Sequence, residues 1–341
     1  MTAPPLQRKT LAAATASHVS PIGEPGSSSA LRPRLAALAA HLLVALIALV
    51  GIGGATRVME AGLACPDWPL CYGSLLPGRQ MNLQVFLEWF HRLDAFVVGV
   101  GLLVLSAVSW WERRQLPAWL PPLSLACVLL VAVQGGLGAL TVLQLLPSAV
   151  VTAHLLTALL LVALLSACHQ GLRSASSQAD PCNGIADGGG EGGSAPQSAS
   201  GLWSSATRAT LVAALVAVLV QCLLGGLMAS QWAAGLCISS GKACGWLLAH
   251  RLGARLAGAL VLALAALLAW RRPMARPLAG LAALLVLAQI ALGVFSLRLS
   301  LALPGVTVAH QISAALLVAV LSSLTVRGWR IAPNLPETSH G

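Results

Sequence analysis

Charge is what this sequence most lacks. Of its 341 residues, 9% are charged and only 10 are acidic. A soluble domain carries about 25% charged residues, so a water-facing surface over most of the chain is excluded. Hydrophobic residues make up 57% and the mean hydropathy is +0.83. These values describe a membrane protein, whose length counts spans rather than soluble domains. The shortage of acid leaves a net charge of +10. The Lys and Arg residues are scattered between apolar runs without a dense basic patch, which excludes nucleic acid as a partner. The first 30 residues also lack an apolar core followed by a cleavage site, so no cleavable signal peptide is expected.

What is present is a series of uncharged runs. At roughly 20 residues per crossing they predict eight spans, near 35–56, 87–111, 119–142, 150–172, 207–229, 248–270, 277–297 and 305–326. A bilayer admits only helices or closed barrels, and runs of this length mean helices, so the fold class is an all-α integral membrane protein. Thirteen of the 20 Lys and Arg fall on the side that holds the N-terminus, which places both termini in the cytoplasm. The expected organisation is a cytoplasmic tail (1–34), a first four-helix bundle (35–172), a Ser- and Gly-rich cytoplasmic linker (173–206), a second four-helix bundle (207–326) and a C-terminal tail (327–341).

The two halves repeat each other. His91-Arg92-Leu93 returns as His250-Arg251-Leu252. Gln134, Leu137-Gly138, Pro147 and His154 return in order as Gln289, Leu292-Gly293, Pro304 and His310. Gly62-Leu63-Ala64-Cys65 with Cys71 returns as Gly235-Leu236-Cys237 with Cys244. Each half starts inside, so the bundles are expected to be related by a pseudo-twofold axis along the membrane normal, unlike the inverted repeats of many transporters.

The chemistry lies in the histidines. His91, His154, His250 and His310 sit at equivalent places, about one turn inside the outer end of their spans, and ionisable groups in spans are costly and usually functional. One imidazole from each of two facing helices supplies both axial positions of a haem iron. Zinc normally wants three or four protein ligands, and no third Cys, His or carboxylate repeats beside each pair, so haem is favoured. His41 has no counterpart and reads as structural; His18, His169 and His340 carry little signal. Cys65 with Cys71, and Cys237 with Cys244, share outer loops that meet an oxidising space; a disulfide in each and free or redox-active thiols are the alternatives. Cys127, Cys168 and Cys222 read as packing residues, and Cys182 falls in the linker.

The halves differ at one acidic position. Glu88 lies three residues before His91 and so shares its helical face, whereas the equivalent position is Leu247. Asp94 likewise becomes Gly253. A carboxylate at the mouth of only one haem slot suggests that one half does chemistry while the other holds a fixed cofactor; a favourable charge near a helix N-terminus is the simpler alternative. Arg92 and Arg251 are candidates for pairing with haem propionates, or for snorkelling to the outer surface.

Thr56-Arg57, Gly62-Leu63, the Cys65-Pro66-Asp67-Trp68-Pro69-Leu70-Cys71 loop, Glu88-Trp89-Phe90-His91-Arg92 and the two Gln…Leu-Gly…Pro…His segments together resemble the haem A synthase family over roughly residues 35–326. The chain departs from the family pattern at Ala61, where Ser is frequent, and its 174–206 segment is longer than usual. The resemblance implies oxidation of the C8 methyl of haem O to a formyl group by successive hydroxylations. It implies that His250 and His310 ligate a resident haem b, and that His91 and His154 hold the substrate haem with Glu88 at its reacting edge. A bacterial inner membrane, haem sites near the periplasmic face, a haem O synthase as partner and an unidentified electron acceptor follow from the same resemblance.

Two other functions are weighed against it. A diheme b-type electron carrier would stagger its haems between the two faces, whereas all four histidines lie near the outer one. A haem transporter would need a polar route, whereas the inner halves of the spans read as apolar.

Overall fold

The computed structural model describes residues 28–176 and 203–329. His18, Cys182, His340 and most of the expected linker and tails lie outside the described residues. Among the described residues nine α-helices run in the order α1 (Ser28–Val58), α2 (Leu83–Trp111), α3 (Leu120–Leu143), α4 (Ser148–Ser176), α5 (Ser205–Ser230), α6 (Ala233–Ser240), α7 (Cys244–Arg271), α8 (Arg276–Arg298) and α9 (Pro304–Gly328). All but the short α6 are long and apolar enough to cross a membrane, giving eight candidate spans.

Helix starts are set by local chemistry. The Asn82 side chain accepts from the Val85 amide at 3.0 Å, which begins α2 four residues before the expected 87. Ser204 caps α5 through the Thr207 amide. Proline stands in the first turn of α3, α8 and α9, where its missing N–H costs nothing. The α3–α4 and α8–α9 connections share one turn: Leu145 and Leu146 have φ of 57° and 61°, and Ser300 and Leu301 have 52° and 63°. In each turn the second residue donates 2.8 Å back to the preceding helix, Leu146 to the Thr141 carbonyl and Leu301 to that of Ser296.

Each half closes on itself. In the first, α1 packs on α2, α2 on α3, α3 on α4 and α4 on α1; in the second, α5, α7, α8 and α9 do the same. The halves join through α4 against α9, flanked by α1 against α9 and α4 against α5. Leu159, Leu161 and Leu165 of α4 and Leu321 and Leu324 of α9 are fully buried. By contrast, Leu129 and Val133 of α3 and Leu284 and Leu287 of α8 stand exposed, as a lipid-facing surface requires. Trp110, Trp111 and Trp270 are exposed at helix ends, where amphipathic rings favour the membrane interface.

The halves of the spans farther from the paired histidines are less apolar than expected. Ser109 and Ser124 donate to carbonyls in their own helices, those of Leu105 and Pro121. Ser166 donates to the Ala319 carbonyl and Ser322 to that of Ala163, both at 2.6 Å. These hydroxyls are satisfied by backbone acceptors. His41 bonds the Ala37 carbonyl one turn back in α1, and His169 of α4 bonds the Ala36 carbonyl of α1. Cys127 and Cys168 are buried free thiols, and Cys222 is a half-buried one.

Candidate functional site

A cavity of about 1420 Å³ has walls that include Glu88, His91, Gln134 and His154 of the first half. Ordinary ligand pockets measure about 300–1,000 Å³, so there is space for a large flat ligand with a long substituent. Gly226, Ser230 and Trp232 from the α5 side and Gln311 from α9 complete the wall. The cavity therefore belongs to both halves.

Each of the four histidines sits against a glycine of an adjacent helix. A Cβ at Gly53 would come within 3.0 Å of His91 Nε2, and one at Gly225 within 3.0 Å of His250 Cε1. At Gly138 and Gly293 the corresponding approaches to His154 and His310 are 3.5 and 3.2 Å. A side chain at Gly53, Gly225 or Gly293 would require its imidazole to give by a few tenths of an ångström. The sequence reading found the histidines but missed this role for the glycines; two of them, Gly138 and Gly293, were visible as repeat landmarks.

The His91 and His154 ring centres are 6.4 Å apart, with planes tilted by 57°. Metal–imidazole bonds of about 2 Å on either side of one ion leave about 4 Å between the facing nitrogens, and ring centres a little beyond that, as observed. Gln134 holds the α4 side of the site. Its Nε2 donates to the His154 carbonyl at 3.1 Å while its Oε1 accepts from Thr157. His154 Nδ1 is buried without a protein partner.

The second pair is held differently. Gln221 Nε2 lies 2.8 Å from His250 Nδ1 and donates to the His250 carbonyl. Gln289 Nε2 lies 3.1 Å from His310 Nε2, and Ser313 donates to Gln289 Oε1. His310 is within electrostatic reach of His250, and its buried Nδ1 has no protein partner. Among the described residues no three His, Cys, Asp or Glu gather as metal ligands. His250 and His310, within electrostatic reach of each other and each beside a glutamine amide, have the donor chemistry that would hold a haem b.

Glu88 is buried at the cavity wall. One oxygen pairs with Arg92 Nη2 at 2.5 Å, and the other accepts from the Cys65 amide at 2.8 Å. Arg92 donates further to the carbonyls of Cys65, Asp67 and Leu70. The pair thus clamps the Cys65–Cys71 loop onto α2, and the Arg92 guanidinium is occupied there. Cys65 and Cys71 are disulfide-bonded with Cα atoms 4.7 Å apart, and Cys237 and Cys244 likewise at 4.8 Å. Inside the first loop, the Asp67 carboxylate accepts from the Tyr72 and Gly73 amides at 2.6 and 2.7 Å. The Gly73 amide foremost holds the Asp67 carboxyl below its usual range; burial, second in size, opposes it, and the Tyr72 amide and the Arg92 charge add smaller lowering contributions. Trp89 Nε1 fixes the rest of the loop through the Leu75 carbonyl at 2.6 Å.

Arg251 is exposed and Leu247 half-buried, so the second half has no counterpart of the Glu88–Arg92 clamp. Arg57, which the sequence reading left without a role, lines the cavity. It donates to the Ala229 carbonyl and lies over the Trp232 ring at 5.6 Å.

A family model described as COX15-CtaA, cytochrome oxidase assembly protein, matches residues 36–322. The heme A synthase of Shewanella oneidensis is 37% identical over 139 residues, covering 36% of this chain and 41% of that protein. That of Sphingopyxis alaskensis is 35% identical over 173 residues, covering 40% and 48%. That of Bacillus pumilus is 32% identical over 100 residues, covering 29% and 32%. The chain spans less than half the length of each of these curated relatives.

Proposed function

The chain belongs to the COX15-CtaA family of cytochrome oxidase assembly proteins, and from that premise we propose that it is a haem A synthase, oxidising the C8 methyl of haem O to a formyl group. The observation that carries this reading is the asymmetry of the two histidine pairs. His91 and His154 face each other beside a large cavity with a buried carboxylate in its wall, whereas the position equivalent to that carboxylate in the other half is Leu247.

In this reading His91 and His154 seat the substrate haem O, and His250 and His310 hold a resident haem b. A haem b held there would supply one-electron transfer. The residues of the chain do the rest. The histidine pair fixes the substrate ring so that its edge meets one wall of the cavity. Glu88, paired with Arg92, places its carboxylate where positive charge develops as electrons leave the substrate methyl. A carboxylate offers about four acceptor sites, so the bonds from Arg92 and Cys65 leave capacity to orient a water for attack and to take its proton. The disulfide-bonded loop clamped by Glu88 and Arg92 covers this edge. Repetition of the hydroxylation gives a gem-diol, which loses water to become the aldehyde, and the electrons pass to an acceptor outside the chain. A haem O synthase supplying the substrate, a bacterial inner membrane, cytoplasmic termini and haem sites near the periplasmic face complete the reading.

Pigment extraction from the purified protein tests it. Haem b accompanied by haem O, its hydroxylated product or haem A is expected. Haem b alone, with no conversion of supplied haem O, would leave an electron carrier instead, and a preparation without any haem would overturn both.

A further inference from the structure

Arg57 is a cation on a membrane-spanning helix without an acidic partner. Among the described residues the only ion pair is Glu88 with Arg92; Arg57 has just the Ala229 carbonyl and the Trp232 ring face. Leaving a charge there unneutralised is costly, and such residues usually serve a ligand. A guanidinium carries five donors in a planar fork, and the Ala229 bond leaves most of that fork for a carboxylate, the group it matches bidentately.

Its place in the fold identifies which carboxylate. Arg57 follows Gly53 by four residues, so both occupy one face of α1, and Gly53 is where the His91 ring rests. Arg57 therefore stands about one turn, roughly 5 Å, along α1 from the level of the imidazoles, in the same cavity wall. Arg92, the other cation of that wall, is already occupied by Glu88 and three carbonyls. The second half has nothing comparable: Ala229 follows Gly225 by the same four residues.

We propose that Arg57, stacked on Trp232, is the carboxylate-recognition residue of the first cavity and binds a ring propionate of the macrocycle seated between His91 and His154. This rests on the reading of that cavity given above. It assigns the selection of the macrocycle's orientation to one residue of α1 rather than to the His-Arg pairs that repeat in both halves.

The test uses the full chain with its His250–His310 site filled, titrated by absorbance with iron protoporphyrin IX and with its dimethyl ester, which lacks the carboxylates. Wild type is expected to bind the free acid more tightly than the ester. Arg57→Gln should weaken the free acid by about 10- to 100-fold, the loss typical of a charged hydrogen bond, and leave the ester unchanged. Arg57→Lys, which keeps the charge without the fork, should fall between. The haem b spectrum of the second site reports that each variant is folded. An unchanged affinity for the free acid, or an equal loss for acid and ester, would overturn the assignment. Failure of wild type to take up either porphyrin would instead overturn the reading of the cavity.

Discussion

Ser166 of α4 donates to the carbonyl of Ala319 in α9, and Ser322 of α9 donates to the carbonyl of Ala163 in α4, each at 2.6 Å. The two bonds are the same contact made in opposite directions, since both residues of the first bond shift by 156 to give the second. Such an exchange is what a local twofold between α4 and α9 would produce. Nearer the histidines a similar pattern recurs: Gln311 fills the space beside Gly54, and Thr152 together with Leu155, the counterpart of Gln311 beside His154, does so at Gly226.

Ser166→Ala and Ser322→Ala should each lower stability by about 0.6 kcal/mol, the average for a hydrogen bond between membrane helices. Unfolding in detergent, followed by circular dichroism, measures this. Haem content should not change in either variant, because both serines lie far along α4 and α9 from the histidines.

His250→Ala and His310→Ala should abolish the six-coordinate haem b spectrum, since one imidazole alone leaves a weak five-coordinate site. His91→Ala and His154→Ala should retain that spectrum and lose the ability to take up a second porphyrin. Purification of either second-half variant with an unaltered spectrum would refute the ligand assignment.

Glu88→Gln removes the charge but keeps an amide that can bond the Cys65 amide. Haem A formation should fall by the 10²–10³-fold typical of one lost electrostatic contact, with haem O or its hydroxylated product accumulating in extracted pigments. Because Arg92 loses its ion-pair partner, the loop should also loosen, which faster hydrogen exchange at Cys65 would report. Leu247→Glu should confer no activity on the second half.

The lowered carboxyl of Asp67 fixes the sign of a pH effect. A depressed carboxylate stabilises the fold at pH values above its unfolded value of about 3.9 and loses that contribution as pH falls through the folded value. Protection of the Tyr72 and Gly73 amides from hydrogen exchange, corrected for intrinsic rates, should therefore persist from neutral pH to about 4 and vanish only below. Asp67→Asn should reduce it at neutral pH.

Peptide mass spectrometry without reductant should recover Cys65 joined to Cys71. Thiols at both positions open to alkylation in freshly prepared protein would contradict the loop geometry.

How much of this was legible in the sequence depended on whether the partner was a side chain or a backbone. Apolar runs marked all eight long helices, and the repeat picked out His91, His154, His250 and His310. The short α6 was missed because its residues lie inside one uncharged stretch and carry no period of their own. Arg57 escaped because its hydrogen-bond partner is a carbonyl 172 residues away, and carbonyls leave no mark in a sequence. Gln221 escaped for another reason: the residue four before Gly53, matching its place four before Gly225, is Leu49, so comparison of the halves passed over it.

The cavity wall completed by Gly226, Ser230, Trp232 and Gln311 means that a half of this molecule is not a smaller working version of the whole. A fragment ending after α4 would present its histidine pair to lipid along one flank and would lack Trp232 beneath Arg57. Two fragments produced separately, divided between α4 and α5, should regain the complete cavity wall only on finding each other through the α4–α9 seam that Ser166 and Ser322 cross. Complementation between such fragments would then titrate with their membrane density, and neither alone would show any trace of the joint activity.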